Sequence, residues 1–308
     1  MSLVMTGEQV EDIVQLHLTL CQSMHSTQRR EKPLLLLVAG QPGAGKTGLA
    51  ETNKQYLRAH GGYIHLDADR LRELLPGYAA LAAAHGEAAS EITQAAAGAC
   101  VTRLRQYAVE TRRNILEEGT LRAGADTFTR YIQRMQEVGY LVELRVLAVS
   151  PEESLLGIYK RYEGQIAAHS PAPRFVPEDY HRSTTHALAQ TIAALEKQAD
   201  KVLVFDRRGH VLHQHLRGDG DSGASAILCA AQQDNNAQSK AALALGWDAI
   251  FKTAHARNAK PDYLQRIALH QARLHAAMRA DMEASKIYDD KLPGAQAFSQ
   301  KLAAHSSH

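Results

Sequence analysis

A short apolar run, Leu34-Leu35-Leu36-Leu37-Val38-Ala39, feeds directly into Gly40-Gln41-Pro42-Gly43-Ala44-Gly45-Lys46-Thr47, and Gly48-Leu49-Ala50-Glu51 then continues in helix-compatible residues. This order commits the stretch to a strand, a glycine-rich loop and a helix, the context in which a phosphate-binding loop carries meaning. The glycines let backbone N–H groups close around a polyphosphate, and the helix that follows directs its positive end at the same charge. In such a loop the Lys46 ammonium reaches the β- and γ-phosphates, and the Thr47 hydroxyl serves Mg²⁺. The candidate nucleotide-binding residues are therefore Gly40, Gln41, Pro42, Gly43, Ala44, Gly45, Lys46, Thr47 and Gly48. The expected ligands are a nucleoside triphosphate and Mg²⁺.

A chain of 308 residues has room for a large core and for one main domain with an appendage. Its 45% hydrophobic and 22% charged residues describe a soluble globular protein. A formal net charge of +2 creates no field that would recruit nucleic acid or an acidic membrane. Cys21, Cys100 and Cys229 are odd in number and far apart, which suits a reducing compartment. No apolar run is long enough to span a bilayer, and Glu8, Glu11 and Asp12 interrupt any signal-peptide pattern. These features predict a cytoplasmic enzyme.

Apolar runs at 34–39, 63–66, 114–116, 144–149 and 202–205 alternate with helical patterns. The clearest helix covers 126–138, with Phe128, Tyr131, Ile132, Met135 and Val138 on one face and Gly139 as its stop. The alternation predicts an α/β fold: a P-loop kinase-type parallel sheet flanked by helices, with an additional C-terminal helical segment. Three segments are expected: an N-terminal helical segment 1–32, a P-loop domain 33–217 and a helical extension 218–308. In the extension, Leu264, Ile267, Ala268, Ala272, Leu274 and Met278 form a candidate buried face.

Ligands of such sheets sit beyond the carboxyl ends of the strands. Four of those ends are polar: the phosphate loop, Asp67-Ala68-Asp69, Glu117-Glu118-Gly119-Thr120, and Ser150 ahead of a helix carrying Arg161. Strand alternation lets only one of Glu117 and Glu118 face the site. Asp69 is a candidate helix N-cap, which leaves Asp67 for chemistry. Arg161 has a structural alternative in pairing with Glu152 or Glu153. His210, His213 and His215 fall on a short hairpin without a Cys or carboxylate companion, so a metal site built from side chains is not expected. Arg103, Arg105, Arg112 and Arg113 read as a solvated helix face and not as a nucleic-acid track.

The phosphate loop, Leu66-Asp67-Ala68-Asp69-Arg70-Leu71-Arg72 with Pro76 and Tyr78, Glu118-Gly119-Thr120-Leu121-Arg122, Arg161-Tyr162-Glu163 and Arg174 together resemble the zeta toxins of bacterial toxin–antitoxin systems. The resemblance covers roughly residues 30–215. It implies a P-loop kinase that uses ATP and Mg²⁺ to phosphorylate the 3-hydroxyl of UDP-N-acetylglucosamine, blocking peptidoglycan synthesis. It also implies roles residue by residue. Lys46 and Thr47 match the phosphate and metal ligands, and Asp67 matches the base. Glu118 and Thr120 match acceptor-holding positions, with Arg122 beside them as a further candidate substrate contact. Arg161 and Arg174 match arginines that neutralise the transferring phosphoryl group.

Phosphoryl transfer asks for positioning and charge compensation, which a strand-end carboxylate and paired guanidinium groups supply. Arg174 lies among Pro171, Pro173 and Pro177, so its segment is not a helix interior and suits a lid. The implied partners are a UDP-sugar and a small helical antitoxin, with intramolecular inhibition by the terminal helices as an alternative restraint. Alanine runs at 79–84 and 95–97, within the region that shapes the family's sugar pocket, depart from the pattern. Two other functions stand beside the leading one: a P-loop kinase of another small-molecule hydroxyl acceptor, and a non-enzymatic nucleotide-binding regulatory module.

Overall fold

The computed structural model describes residues 3–21, 31–170, 173–220, 223–233 and 237–291. It opens with helix α1 (Gly7–Leu20), started by a reciprocal capping box between Thr6 and Gln9. Strand β1 (Leu34–Ala39), helix α2 (Lys46–Ala59), strand β2 (Ile64–Leu66) and helix α3 (Ala68–Glu73) follow. Helices α4 (Tyr78–His85), α5 (Ala89–Ile92) and α6 (Gln94–Glu110) lead to β3 (Ile115–Gly119), α7 (Ala125–Glu137) and β4 (Leu141–Leu147). Next come α8 (Pro151–Ala167), α9 (Glu178–Leu195), the antiparallel pair β5 (Lys201–Phe205) and β6 (Val211–Leu216), and α10 (Ala224–Gln232). Helices α11 (Ala237–Ala256) and α12 (Pro261–Lys291) end the described chain.

The strands form one six-stranded sheet in the order β2-β3-β1-β4-β5-β6, parallel up to β5. Central β1 is apolar at every residue because both its faces are covered. Leu35 and Leu37 turn to one face with Ile115, Val142, Leu144 and Val146, packing among residues of α1, α6, α7, α9 and α10. Leu36 and Val38 turn to the other, with Leu116, Leu203 and Phe205, against Leu49 and Leu57 of α2. The expected α/β architecture is what forms.

Some boundaries differ from the sequence expectation. Strand β3 continues through Glu117 and Glu118 to Gly119, and β4 occupies 141–147 and not 144–149. The apolar pattern started β4 too late because Glu143, the partner of Arg145, lies inside it. Both are buried, the Arg145 Nε donates to Glu143 Oε1 at 2.7 Å, and the guanidinium lies 5.0 Å from the Tyr56 ring. A paired, stacked charge is tolerated in a buried strand but breaks its hydrophobic signature.

The compact units divide between Gln233 and Asp234, so α1 and α10 both belong with the sheet, and the glycine-rich break at 218 precedes α10. In the second unit α11 and α12 form a helical hairpin, with Trp247 stacked on His270 at 4.6 Å and Lys240 paired to Asp281 at 2.6 Å. On α12 the buried residues, among those described, are Tyr263 and Ile267. Leu264, Leu274 and Met278 are half-buried as expected, but Ala268 and Ala272 are exposed. The single-partner geometry of a hairpin buries a narrower stripe than the sequence suggested. The 210–215 histidines do sit on the β5–β6 hairpin.

Two buried polar devices hold the sheet and its loop in place. Asn114 accepts from Leu34 N at 2.9 Å and donates to His60 O and Gly62 O at 3.0 and 2.9 Å, tying the starts of β1 and β3 to the end of α2. Behind the phosphate loop, Gln41 Nε2 donates to Val149 O at 2.7 Å and to Ser154 Oγ at 3.2 Å. Ser154 Oγ also lies 3.0 Å from Pro151 O and 2.8 Å from His181 Nε2, so it joins the loop brace to α9. Burial pulls the His181 imidazole down to about 4, a shift that Arg182 reinforces and Glu178 opposes.

Asn114→Ala leaves Leu34 N, His60 O and Gly62 O without their partner, and the expected loss is about 2–4 kcal/mol in urea unfolding. An unchanged midpoint would mean that water replaces the amide at no cost. The depressed His181 pKa also sets a pH direction. Below about 6.5 the unfolded chain takes up a proton that the folded chain refuses until about 4, so stability falls as pH drops through that window. His181→Gln should flatten the decline, measured as urea midpoint against pH. An equally steep slope in the variant would remove His181 as its cause.

Candidate active site

The phosphate loop is shaped by backbone contact with α8. Gly43 has φ +77, and a Cβ there would lie 2.0 Å from Ser154 O; a Cβ on Gly157 would lie 2.2 Å from Gly43 O. Only two facing glycines allow this approach. Gly45, at φ 99, is the N-cap of α2 and offers no side-chain acceptor to the first turn. The helix therefore opens with amides directed to an external anion. Thr47 is exposed at this opening, beside Gly48, whose N–H closes onto Gly45 O at 2.9 Å.

Lys46 folds back over the loop, its Nζ donating to Gly40 O at 2.7 Å and Gln41 O at 3.2 Å. Burial draws this ammonium down to about 8; Glu118 and Asp69 oppose the shift and Arg161 adds to it. A cation so poorly compensated favours an incoming anion. The same interactions place Glu118, Asp69 and Arg161 within electrostatic reach of Lys46.

The strand register resolves the choice between the two glutamates. Glu118 pairs in register with Val38, whose side chain is on the α2 face, and its Oε1 lies 3.2 Å from His65 Nε2. Glu117 pairs with Leu37 on the opposite face, where it binds Arg105 at 2.8 Å and Tyr131 at 2.6 Å. Glu118 thus faces the loop and Glu117 closes a buried network away from it. Arg105 is held in that network, and Arg103 pairs with Glu11 at 2.6 Å, so neither forms part of a basic track.

The aspartates exchange the roles expected of them as helix caps. Asp67, and not Asp69, is the N-cap of α3, its Oδ1 accepting from Asp69 N at 2.9 Å and Arg70 N at 3.2 Å. The physical reason is the helix start at Ala68, which makes the preceding residue the cap. Asp67 Oδ2 has no hydrogen bond among the described residues. Asp69 instead accepts from Arg72 and from Arg174.

Arg161, on α8, has its pKa lowered by desolvation and by Arg174, with Asp69 opposing both. The alternative pairing with Glu153 is taken by Arg207, whose Nη1 lies 3.5 Å from its carboxylate. Residues 173–177 are non-helical, as their prolines predict; Pro171 lies outside the described residues. Arg174 N donates to Gln165 Oε1 at 2.7 Å, and Phe175 packs edge-on to Tyr159 and Tyr162 at 5.0 and 5.3 Å. After β3, Leu121 adopts φ 54 and Arg122 lies 4.7 Å over the Tyr180 ring of α9. Thr120 precedes this turn on the same sheet edge. Among the described residues no His, Cys, Asp and Glu cluster could hold a metal ion.

Sequence reasoning missed His65, Ser154, His181, Tyr180 and Arg207. Only Arg207 had a usable signal: it stands at the carboxyl end of β5, on the edge already singled out for the other strands.

Comparison with known proteins places this geometry in context. Toxin PezT of Streptococcus pneumoniae serotype 4 is 29% identical over 194 residues, 61% of this chain and 76% of PezT. Toxin zeta of Streptococcus pyogenes is 26% identical over 192 residues, 60% of this chain and 64% of that toxin. A solved structure from the characterisation of the PezAT chromosomal toxin–antitoxin system of S. pneumoniae superposes with a TM-score of 0.70 at 22% identity, covering 81% of this chain and 98% of its own. A structure of AvrRxo1-ORF1:AvrRxo1-ORF2 with ATP superposes at TM-score 0.53 and 16% identity, covering 86% of this chain and 87% of its own. Both likenesses establish the fold. No helix among the described residues is long and apolar enough to cross a membrane. The sequence model of the zeta toxins matches residues 19–217, well over half of the chain, and the protein belongs to the zeta toxin family.

Proposed function

We propose that this chain is an ATP-dependent kinase that transfers the γ-phosphate to a sugar hydroxyl, most specifically the 3-hydroxyl of UDP-N-acetylglucosamine, and so acts as a zeta-type toxin against cell-wall synthesis. One observation carries the reading: Lys46, Glu118, Asp69, Arg161 and Arg174, from five separate segments, are joined through a chain of electrostatic contacts beside the open N-terminus of α2. A structural role does not call for gathering three cations around exposed amides; binding a polyanion does.

The loop amides and Lys46 hold the β- and γ-phosphates, and Arg161 and Arg174 stand ready to offset charge on the transferring group. Asp69 holds Arg174 near that position until phosphate oxygens compete for the guanidinium. Asp67 is oriented through its cap hydrogen bonds, which occupy Oδ1 and leave Oδ2 for the acceptor proton. Glu118, steadied by His65, offers a carboxylate to an acceptor hydroxyl on the same side, with Thr120 and Arg122 behind it. Thr47 fits Mg²⁺, as an exposed hydroxyl at the opening of α2. Mg²⁺ held there would neutralise part of the phosphate charge.

Another hydroxyl acceptor is the second reading, favoured by the exposed alanines of α4 (Ala79, Ala80, Ala83 and Ala84), which offer a sugar no side-chain hydrogen-bond partner. The PezAT and AvrRxo1 structures are of a toxin–antitoxin system and of a two-protein complex. By analogy, a small antitoxin protein is the proposed restraint on this chain.

Asp67→Asn tests the chemistry cleanly, because Asn caps a helix as well as Asp does. Transfer should fall by about two to four orders of magnitude while ATP affinity stays within about twofold. Unchanged turnover would exclude Asp67 as the base, and its absence in the parent as well would favour a nucleotide-binding regulatory module. A labelled-ATP assay over a panel of hydroxyl compounds tests the acceptor. Labelled UDP-N-acetylglucosamine is the expected product, and Glu118→Gln should raise the KM for it about tenfold. Label appearing only in another compound would leave a kinase and remove the cell-wall target.

A further inference from the structure

The site carboxylates lie on one flank of the phosphate loop. Strands β3 and β2 stand on one side of β1 and bring Glu118, Asp67 and Asp69 to its edge; β4 and β5 stand on the other. A nucleotide whose terminal phosphate meets Lys46 and those carboxylates must trail its nucleoside toward the β4–β5 flank. One cation is built into that flank. Arg207 stands in the β5–β6 turn, and its stem crosses the loop at Gly45: a Cβ on Gly45 would lie 3.5 Å from Arg207 Cγ and 3.7 Å from its Nε. The guanidinium continues to α8, where Nη1 donates to Glu153 O at 2.9 Å and Nη2 lies 2.9 Å from the position of a Gly157 Cβ.

The turn that presents Arg207 is rigid. Asp206 Oδ1 accepts from Arg208 N at 2.8 Å and His210 N at 2.9 Å, its Oδ2 meets His210 Nδ1 at 2.9 Å, and its N–H reaches His210 O at 3.0 Å. Gly209, at φ 87, completes it. The Glu153 carboxylate is a distant partner at 3.5 Å, and 32% of the Arg207 side chain remains exposed. This is a planar cation, positioned by a stiff turn and partly open, immediately beside the amides of α2.

We propose that Arg207 is the residue that reads the nucleoside end of the donor, offering the face of its guanidinium to the base. The inference rests on the nucleotide-binding reading of the same loop. A planar guanidinium stacks on aromatic rings in a way that an ammonium does not, so the proposal requires arginine specifically. The alternative is a purely structural clasp between the β5–β6 turn, the loop and α8, which would disturb every ligand of the loop alike.

Binding of ADP and of inorganic tripolyphosphate, each with Mg²⁺, to the full chain by titration calorimetry separates the two. Arg207→Ala should weaken ADP about tenfold and tripolyphosphate by less than about twofold. Arg207→Lys should recover little of the loss. Arg207→Met keeps the apolar stem over Gly45 and serves if the alanine variant fails to fold; it should show the same selective loss. Equal losses for both ligands, or no loss for either, would overturn the proposal while leaving a nucleotide site in place. A parent protein that binds neither ligand would remove the nucleotide-binding reading itself, and this inference with it.

Discussion

The contact on which the site depends is the backbone-to-backbone packing of Gly43 against α8 at Ser154 and Gly157. A phosphate loop works only if its amides converge, and convergence costs conformational freedom that glycine-rich chain would otherwise keep. Here the loop is braced from behind. Gln41 is fastened to Val149 and Ser154, and Ser154 to His181 of α9, so segments more than 100 residues apart hold the cradle between them. Because α8 also carries Arg161, the helix that shapes the loop sets one of the cations facing it.

Around that braced loop the charges are deliberately unbalanced. Lys46 is desolvated and shares its surroundings with Arg161, while Glu118 and Asp69 compensate only in part. Arg174 is tethered to Asp69 from a segment whose backbone is pinned by Gln165 and whose Phe175 is clamped by two tyrosines. An arrangement with this excess of cations favours an anionic ligand. The Glu117–Arg105–Tyr131 network on the opposite face is the contrast: there each group is matched, and the result is packing.

The α9 start joins these parts. Glu178 meets Tyr159 of α8, Tyr180 lies under Arg122 after β3, and His181 reaches Ser154 behind the loop. One helical turn thus touches α8, the turn beyond β3 and the brace of the phosphate cradle. The non-helical segment that carries Arg174 ends at Pro177 and runs directly into it.

Much of this protein was legible in its sequence because the signals were local. The strand, glycine loop and helix at 34–59 follow from consecutive residues whose backbone preferences need no distant partner, and the alternation of apolar runs was enough for the sheet. Glu143 and Arg145 hid the true start of β4, since burial of a charge pair cannot be read from either residue alone. Other matters waited on the tertiary structure. Strand register chose Glu118 over Glu117, the first residue of α3 chose Asp67 over Asp69 as its cap, and sheet order brought Arg207 to the loop from 160 positions away in the chain. The sequence by itself determined which chemistry was available; which side chains face one another depends on contacts between remote segments, and only folding the chain decides those.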